Sequence, residues 1–138
     1  MRLPLKTEYA CQVLAQLAKT PGPNGMRQVD DLATAEGLSP NYSVQILTSL
    51  RQAGLVESRR GKNGGYLLAR HPQEITLADI AKAIEGLPLI ESSGGNGGES
   101  ADRVREAWDR ANGALEAACR EITLEELAVT EDGGDWVI

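Results

Sequence analysis

Residues 37–70 read GLSPNYSVQILTSLRQAGLVESRRGKNGGYLLAR. Gly37 suits the left-handed position that closes a helix. Ser39 has the chemistry of an N-cap, and Pro40 then falls in the first helical position, where its missing N–H is no loss. The spacing predicts a helix from there to about Ala53, stopped by Gly54. At 100° per residue, Ile46, Leu47, Leu50 and Ala53 gather on one side with the small Ser43. Asn41, Val44, Gln45, Thr48, Arg51 and Gln52 occupy the other. Leu55–Arg59 and Tyr66–Ala69 then read as two strands around the loop RGKNGG, whose glycines permit a tight reversal.

Upstream, Val29, Leu32 and Ala33 mark a short helix from about Val29 to Glu36. Two short helices about the Gly37-Leu38 turn form a helix-turn-helix, and a hairpin directly after the second is a wing. A first helix is expected from about Leu5 to Thr20, with Ala10, Val13, Leu14, Leu17 and Ala18 at helical spacing and the loop PGPNG after it. Downstream, Thr76 caps a helix over Leu77–Glu85 whose stripe is Leu77, Ile80, Ala81 and Ile84. Residues 91–100, ESSGGNGGES, form a glycine-rich loop.

A long helix is expected from about Ala101 to Arg120. Val104, Trp108, Ala111, Leu115, Ala118 and Ile122 recur at intervals alternating four and three, the seam of a coiled coil. A second copy related by a two-fold axis would cover that seam, as would the chain's own first helix. Thr123 and Glu126 form a capping box that opens a closing helix to about Val129, and an acidic tail, EDGGDWVI, follows, in which Trp136 could dock. The fold class expected is therefore mainly α with a small β-hairpin wing. The parts are a winged helix-turn-helix domain (1–86), a sensor-type loop (87–100), a dimerisation helix with a closing helix (101–130) and the tail (131–138).

The formal charge of −6 conceals an asymmetry. Residues 1–72 carry a net +4 and residues 73–138 a net −10. A basic face joined to an acidic body suits a chain that meets nucleic acid through its first half. The helix-turn-helix supplies the readers. Amide groups at Asn41 and Gln45 match the edge of adenine, and Val44 suits a thymine methyl. Residues near the helix N-terminus reach base edges deepest, which favours Asn41, Val44 and Gln45 for readout, and Ser39 at the helix start joins the DNA-contact candidates. Thr48 and Arg51 suit backbone phosphates, while Tyr42 suits either the core or a phosphate. On the wing, Arg59, Arg60 and Lys62 place three cations within four positions, suited to phosphates or a narrow minor groove.

From Gln28 to Gly86 the chain resembles the Rrf-two family of winged helix-turn-helix regulators, whose relatives include the iron–sulfur cluster regulator, the nitrite-sensitive repressor and the cysteine-metabolism repressor. The matching pieces are MRLPLKTEYA (1–10), the stretch 37–70, EITLADIAKAIEG (74–86) and ITLEELA (122–128). The resemblance implies a homodimer that presents the second motif helix to the major groove and the wing to the minor groove, with the long helices crossing between subunits. It implies base readout at Asn41, Tyr42 and Val44, where the cluster regulator has a glutamate in place of Val44.

It also implies a cluster site that this sequence does not reproduce. Cluster-binding relatives place three cysteines where this chain has IESSGGNGGESADRV (90–104), with Ser92 and Ser100 near the expected cysteine positions. Either the chain is a cluster-free member, or serines stand where cysteines did. Glu8 matches an acidic fourth ligand of some relatives, and it also reads as a solvated carboxylate favoured at a helix start. Cys119 is a remote ligand or redox-thiol candidate, whereas Cys11 belongs to the apolar side of the first helix. No cofactor is therefore assigned: the resemblance implies an iron–sulfur cluster, and its ligand cysteines are missing. The two cysteines lack disulfide or zinc spacing and fit a cytoplasmic chain with free thiols.

No apolar run is long enough for a membrane helix, and the polar start is not a signal peptide. There is no phosphate loop or catalytic triad, and the single histidine, His71, stands alone, so an enzyme is not expected. The function expected is a homodimeric, sequence-specific DNA-binding regulator acting as a repressor. The alternative is a winged-helix interaction module whose acidic half meets a protein partner.

Overall fold

The computed structural model describes residues 1–93 and 95–128. Its elements are α1 (Leu5–Leu17), α2 (Val29–Glu36), α3 (Pro40–Gln52), β1 (Val56–Arg59), β2 (Gly65–Leu68), α4 (Leu77–Ile84), α5 (Ala101–Glu121) and α6 (Leu124–Leu127), with single 3-10 turns at Pro23–Gly25 and Pro72–Glu74. This is a winged helix-turn-helix with a long C-terminal helix. The acidic tail and Trp136 lie outside the described residues.

The local causes are those the sequence offers. Gly37 sits at φ 69° and ends α2 in the left-handed region. The Ser39 hydroxyl accepts the backbone N–H of Tyr42 at 3.2 Å, satisfying a donor that the first turn of α3 leaves open. Thr76 and Asp79 exchange both bonds of a capping box at α4, and Thr123 and Glu126 do so at α6.

Helix α1 stops three residues earlier than its periodicity predicts. The Lys19 N–H reaches back only to Gln16, a tightened last turn, and Pro21 then disfavours helical backbone in the residue before it. The two 3-10 turns replace plain loops. His71 caps the second through Nδ1, which accepts the Gln73 N–H at 3.1 Å.

Ala10, Val13, Leu14 and Leu17 of α1 meet Leu32 of α2, Ile46, Leu47 and Leu50 of α3, Leu55, Val56 and Leu68 at the wing base, and Ile75 and Ile80 around α4. Leu124 of α6 is fully buried in the same core. It is delivered there by a main-chain clasp in which Leu77 N–H donates to Ile122 and Leu124 N–H donates to Ile75, at 3.0 and 2.7 Å. Burying a leucine of this kind contributes about 1.5–3 kcal/mol. None of the 21 residues of α5 is buried. Among the described residues no helix is long and apolar enough to cross a membrane.

Candidate nucleic-acid interface

Helix α3 buries Ser43, Ile46, Leu47 and Leu50 and turns the remainder outward. Ser39, Asn41, Val44, Gln45 and Arg51 are exposed, and Thr48 is half-buried. Val44 is 42 % exposed, although valine is among the residues most often buried. The apolar half of α3 thus anchors it, and its free half presents amides, a hydroxyl and one branched methyl pair. Tyr42 is half-buried and meets Tyr9 of α1 edge to face, with ring centroids 5.9 Å apart and planes at 89°. That geometry favours contact between a ring edge and a π face, and it docks the start of α3 on α1.

The wing pairs β1 with β2 in antiparallel register, Val56 opposite Leu68 and Arg59 opposite Gly65. Val56, Leu67 and Leu68 are buried at its base, while Arg59, Arg60 and Lys62 are exposed at its tip. Arg51 bridges the two parts, its guanidinium donating to the Ser58 hydroxyl at 3.3 Å. The cations therefore extend from the outer face of α3 onto the hairpin.

The sequence reading missed an isolated bridge that pairs Arg27 with the outer edge of the wing. Arg27 N–H donates to Tyr66 and Tyr66 N–H donates to Arg27, both at 2.8 Å. The approach is close enough that a Cβ at Gly65 would stand 2.5 Å from the Arg27 carbonyl oxygen, so this position needs glycine. A single bridge residue produces no hydrophobic alternation, and no pattern in the sequence marks it.

The seam residues Val104, Trp108, Ala111, Leu115 and Ala118 of α5, and Ile122 just past its end in extended backbone, are all exposed. The helix rests on its own chain through a different face. Asn112 accepts the Ile90 N–H at 2.7 Å, Glu116 accepts the Leu89 N–H at 3.3 Å, and Cys119 is half-buried on that side. The seam and the supporting face lie about 85° apart around the helix. Intramolecular packing of the seam on α1, one of the two coverings open to the sequence, is not what the fold adopts.

Glu8 is exposed in the first turn of α1. Cys11 packs against the core from the same helix. Its thiol is pushed up to about 11 by burial first, then by the charge of Glu8 and by Cys119. A thiol held protonated is a weak nucleophile and a weak ligand. Ser92 and Ser100 lie exposed in the segment that replaces the cysteine-bearing one. Among the described residues no three His, Cys, Asp or Glu side chains are grouped to hold a metal ion. The donors of 90–104 therefore do not fit a three-cysteine cluster.

Alkylation measures the Cys11 environment directly. In the native chain, its rate of iodoacetamide labelling should still be rising at pH 10, whereas in urea it should level off near the ordinary value of 9.0. A folded-state plateau near 9 would show that the thiol is not shielded. Because the folded value is the higher one, the stabilisation linked to this thiol is complete below about pH 9 and declines as pH rises toward 11.

Comparison with known proteins places this geometry. The Rrf2 family model, described as an iron-dependent transcriptional regulator, matches residues 3–130. The HTH-type transcriptional regulator CymR of Bacillus subtilis is 36 % identical, the match covering 96 % of this chain and 94 % of CymR. The regulator IscR of Photorhabdus laumondii is 32 % identical over 96 % of this chain and 82 % of its own. Among solved structures, that of CymR, the global cysteine regulator of B. subtilis, superposes with a TM-score of 0.77 at 35 % identity, covering 93 % of this chain and 96 % of CymR. IscR of T. potens gives 0.75 at 31 % identity, covering 100 % and 92 %.

Proposed function

Because this chain belongs to the Rrf2 family of transcriptional regulators, a family of DNA-binding proteins rather than enzymes, we propose that it acts as a homodimeric repressor that occupies a two-fold operator. Asn41, Val44 and Gln45 read base edges in the major groove, and Ser39, Thr48 and Arg51 meet phosphates. Tyr42 sets the entry of the helix through Tyr9. Arg59, Arg60 and Lys62 hold the neighbouring minor groove or its phosphates. The α5 seams of two copies pair to set the separation of the two reading helices. No step runs through an iron–sulfur cluster.

The observation that carries this reading is a pair of free surfaces on one chain. The polar half of α3 and the cationic wing are exposed together and linked by Arg51 and Ser58, while the apolar stripe of α5 faces solvent. The first surface suits DNA and the second a second copy. Half-sites should lie about one helical turn apart, or a multiple of it.

The test is duplex binding across a salt series. For the unaltered chain the logarithm of affinity should fall steeply with the logarithm of salt. Replacing Arg59, Arg60 and Lys62 by glutamine should reduce the slope by about 5 for the dimer, close to 0.9 for each of the phosphates that its two wings no longer neutralise. A chain that selects no duplex from a random pool, with a flat salt response, would contradict the proposal.

A further inference from the structure

We propose that Gln16 is a positioning residue for the wing, acting through Arg27, and that α1 is the common mount for both DNA-contacting elements. The inference rests on the wing's contact with DNA proposed above.

Gln16 is 6 % exposed, one of three buried polar side chains among the described residues. Burying an amide is costly unless its donor and acceptor are both used, and here both are. Its Nε2 donates to the Glu36 carboxylate at the last turn of α2, and its Oε1 accepts from the Arg27 guanidinium at 2.8 Å. The same Arg27 nitrogen donates to the Gln16 main-chain carbonyl at 3.2 Å, and Arg27 Nε reaches Asp31 at 2.7 Å. Gln12, one turn earlier on α1, donates to the other Glu36 oxygen at 2.8 Å. Arg27 is also the residue whose main chain pairs twice with Tyr66 of β2.

One amide thus joins the bridge residue at the wing's edge to the end of α2, beside the turn of the helix-turn-helix. The glutamine amide offers a donor toward the carboxylate and an acceptor toward the guanidinium on one planar group, and both are used here. A glutamate would repel Glu36, and a leucine would leave the Arg27 guanidinium short of an acceptor. The second contact, Tyr9 on Tyr42, lies seven residues earlier on the same helix, about 10 Å along its axis. Helix α1 therefore sets the angle between the reading helix and the wing through two separate contacts.

The test is a double-mutant cycle between Gln16→Leu and the glutamine triple variant at Arg59, Arg60 and Lys62. In the unaltered wing, Gln16→Leu should weaken operator binding about tenfold and lower the salt slope toward that of the triple variant. In the triple-variant background, the same change should cost less than about twofold. Hydrogen exchange at the Tyr66 amide should accelerate while the α3 amides Ile46 and Leu47 keep their protection. Arg27→Met cuts the same link from a half-exposed position and should reproduce the pattern if Gln16→Leu fails to fold.

Equal losses in both backgrounds, or a lower melting temperature with unchanged affinity of the folded chain, would show that Gln16 is only structural. If the triple variant itself binds DNA as the parent does, the wing's contact with DNA is disproved. The exchange rate of Tyr66 then decides separately whether Gln16 holds the wing.

Discussion

Replacing Trp108 and Leu115 together by glutamate should convert the protein to a monomer and weaken operator binding about 10²–10⁴-fold. That range is the gain when two linked modules engage two sites at once, and it disappears when the link is cut. The two side chains are 44 % and 41 % exposed in the single chain, and no residue of α5 belongs to the core. The substitutions therefore leave the winged domain's packing intact, and far-ultraviolet circular dichroism should retain the parent's helical signal. Across a two-fold axis they bring carboxylates onto facing seams, where desolvated like charges oppose association. Sedimentation equilibrium reads the assembly state, and titration of a two-half-site duplex reads the affinity. A double variant that stays dimeric with parental affinity would mean that another surface joins the subunits.

The second large effect separates recognition from attraction. The double variant Asn41→Ala with Gln45→Ala should lose about 2–6 kcal/mol of discrimination per half-site, or roughly 30-fold to 10⁴-fold for each. Each well-formed bidentate pair to a base contributes about 1–3 kcal/mol. Both side chains are exposed on α3 and outside its buried set, so the melting temperature should hold. Affinity for random duplex and the slope against salt should stay near the parent's, since the cations are untouched. If affinity for operator and for random duplex fall together, these two residues do not read bases. The wing variant makes the opposite pattern: a changed salt slope with the preferred sequence retained.

Most of the fold is legible because its signals are local. Ser39 with Pro40, Gly37 after Glu36, and Thr76 before Leu77 each mark a helix end by chemistry that acts within one turn, and α2 and α3 lie where those residues place them. The polar half of α3 and the cationic hairpin tip are legible for the same reason. What stayed hidden depends on residues distant in sequence. Arg27 reads as an ordinary surface cation until Tyr66 is brought beside it, and Gln16 reads as the polar side of α1 until Glu36 and Arg27 enclose it. Leu124 reads as part of a separate closing helix, yet the clasp at Ile75 and Leu77 carries it into the core. The seam of α5 was visible as a period, but a period names no partner, and the supporting face of Asn112 and Glu116 is polar and gave no signal.

The exposed residues of 91–100 connect α4 to α5 without joining the core, and α5 is clasped to the body at its far end instead. The segment therefore stands apart from the reading helix and the wing along the chain. A longer, shorter or chemically different segment at that place changes loop closure only slightly, since each doubling of length costs about 0.6 kcal/mol. It leaves in place the reading helix and the seam through which the proposed dimer would pair. Were these ten positions the sensor that the family resemblance implies, their chemistry could be exchanged while the regulator kept its operator. Two members could then share a target and answer to unrelated stimuli.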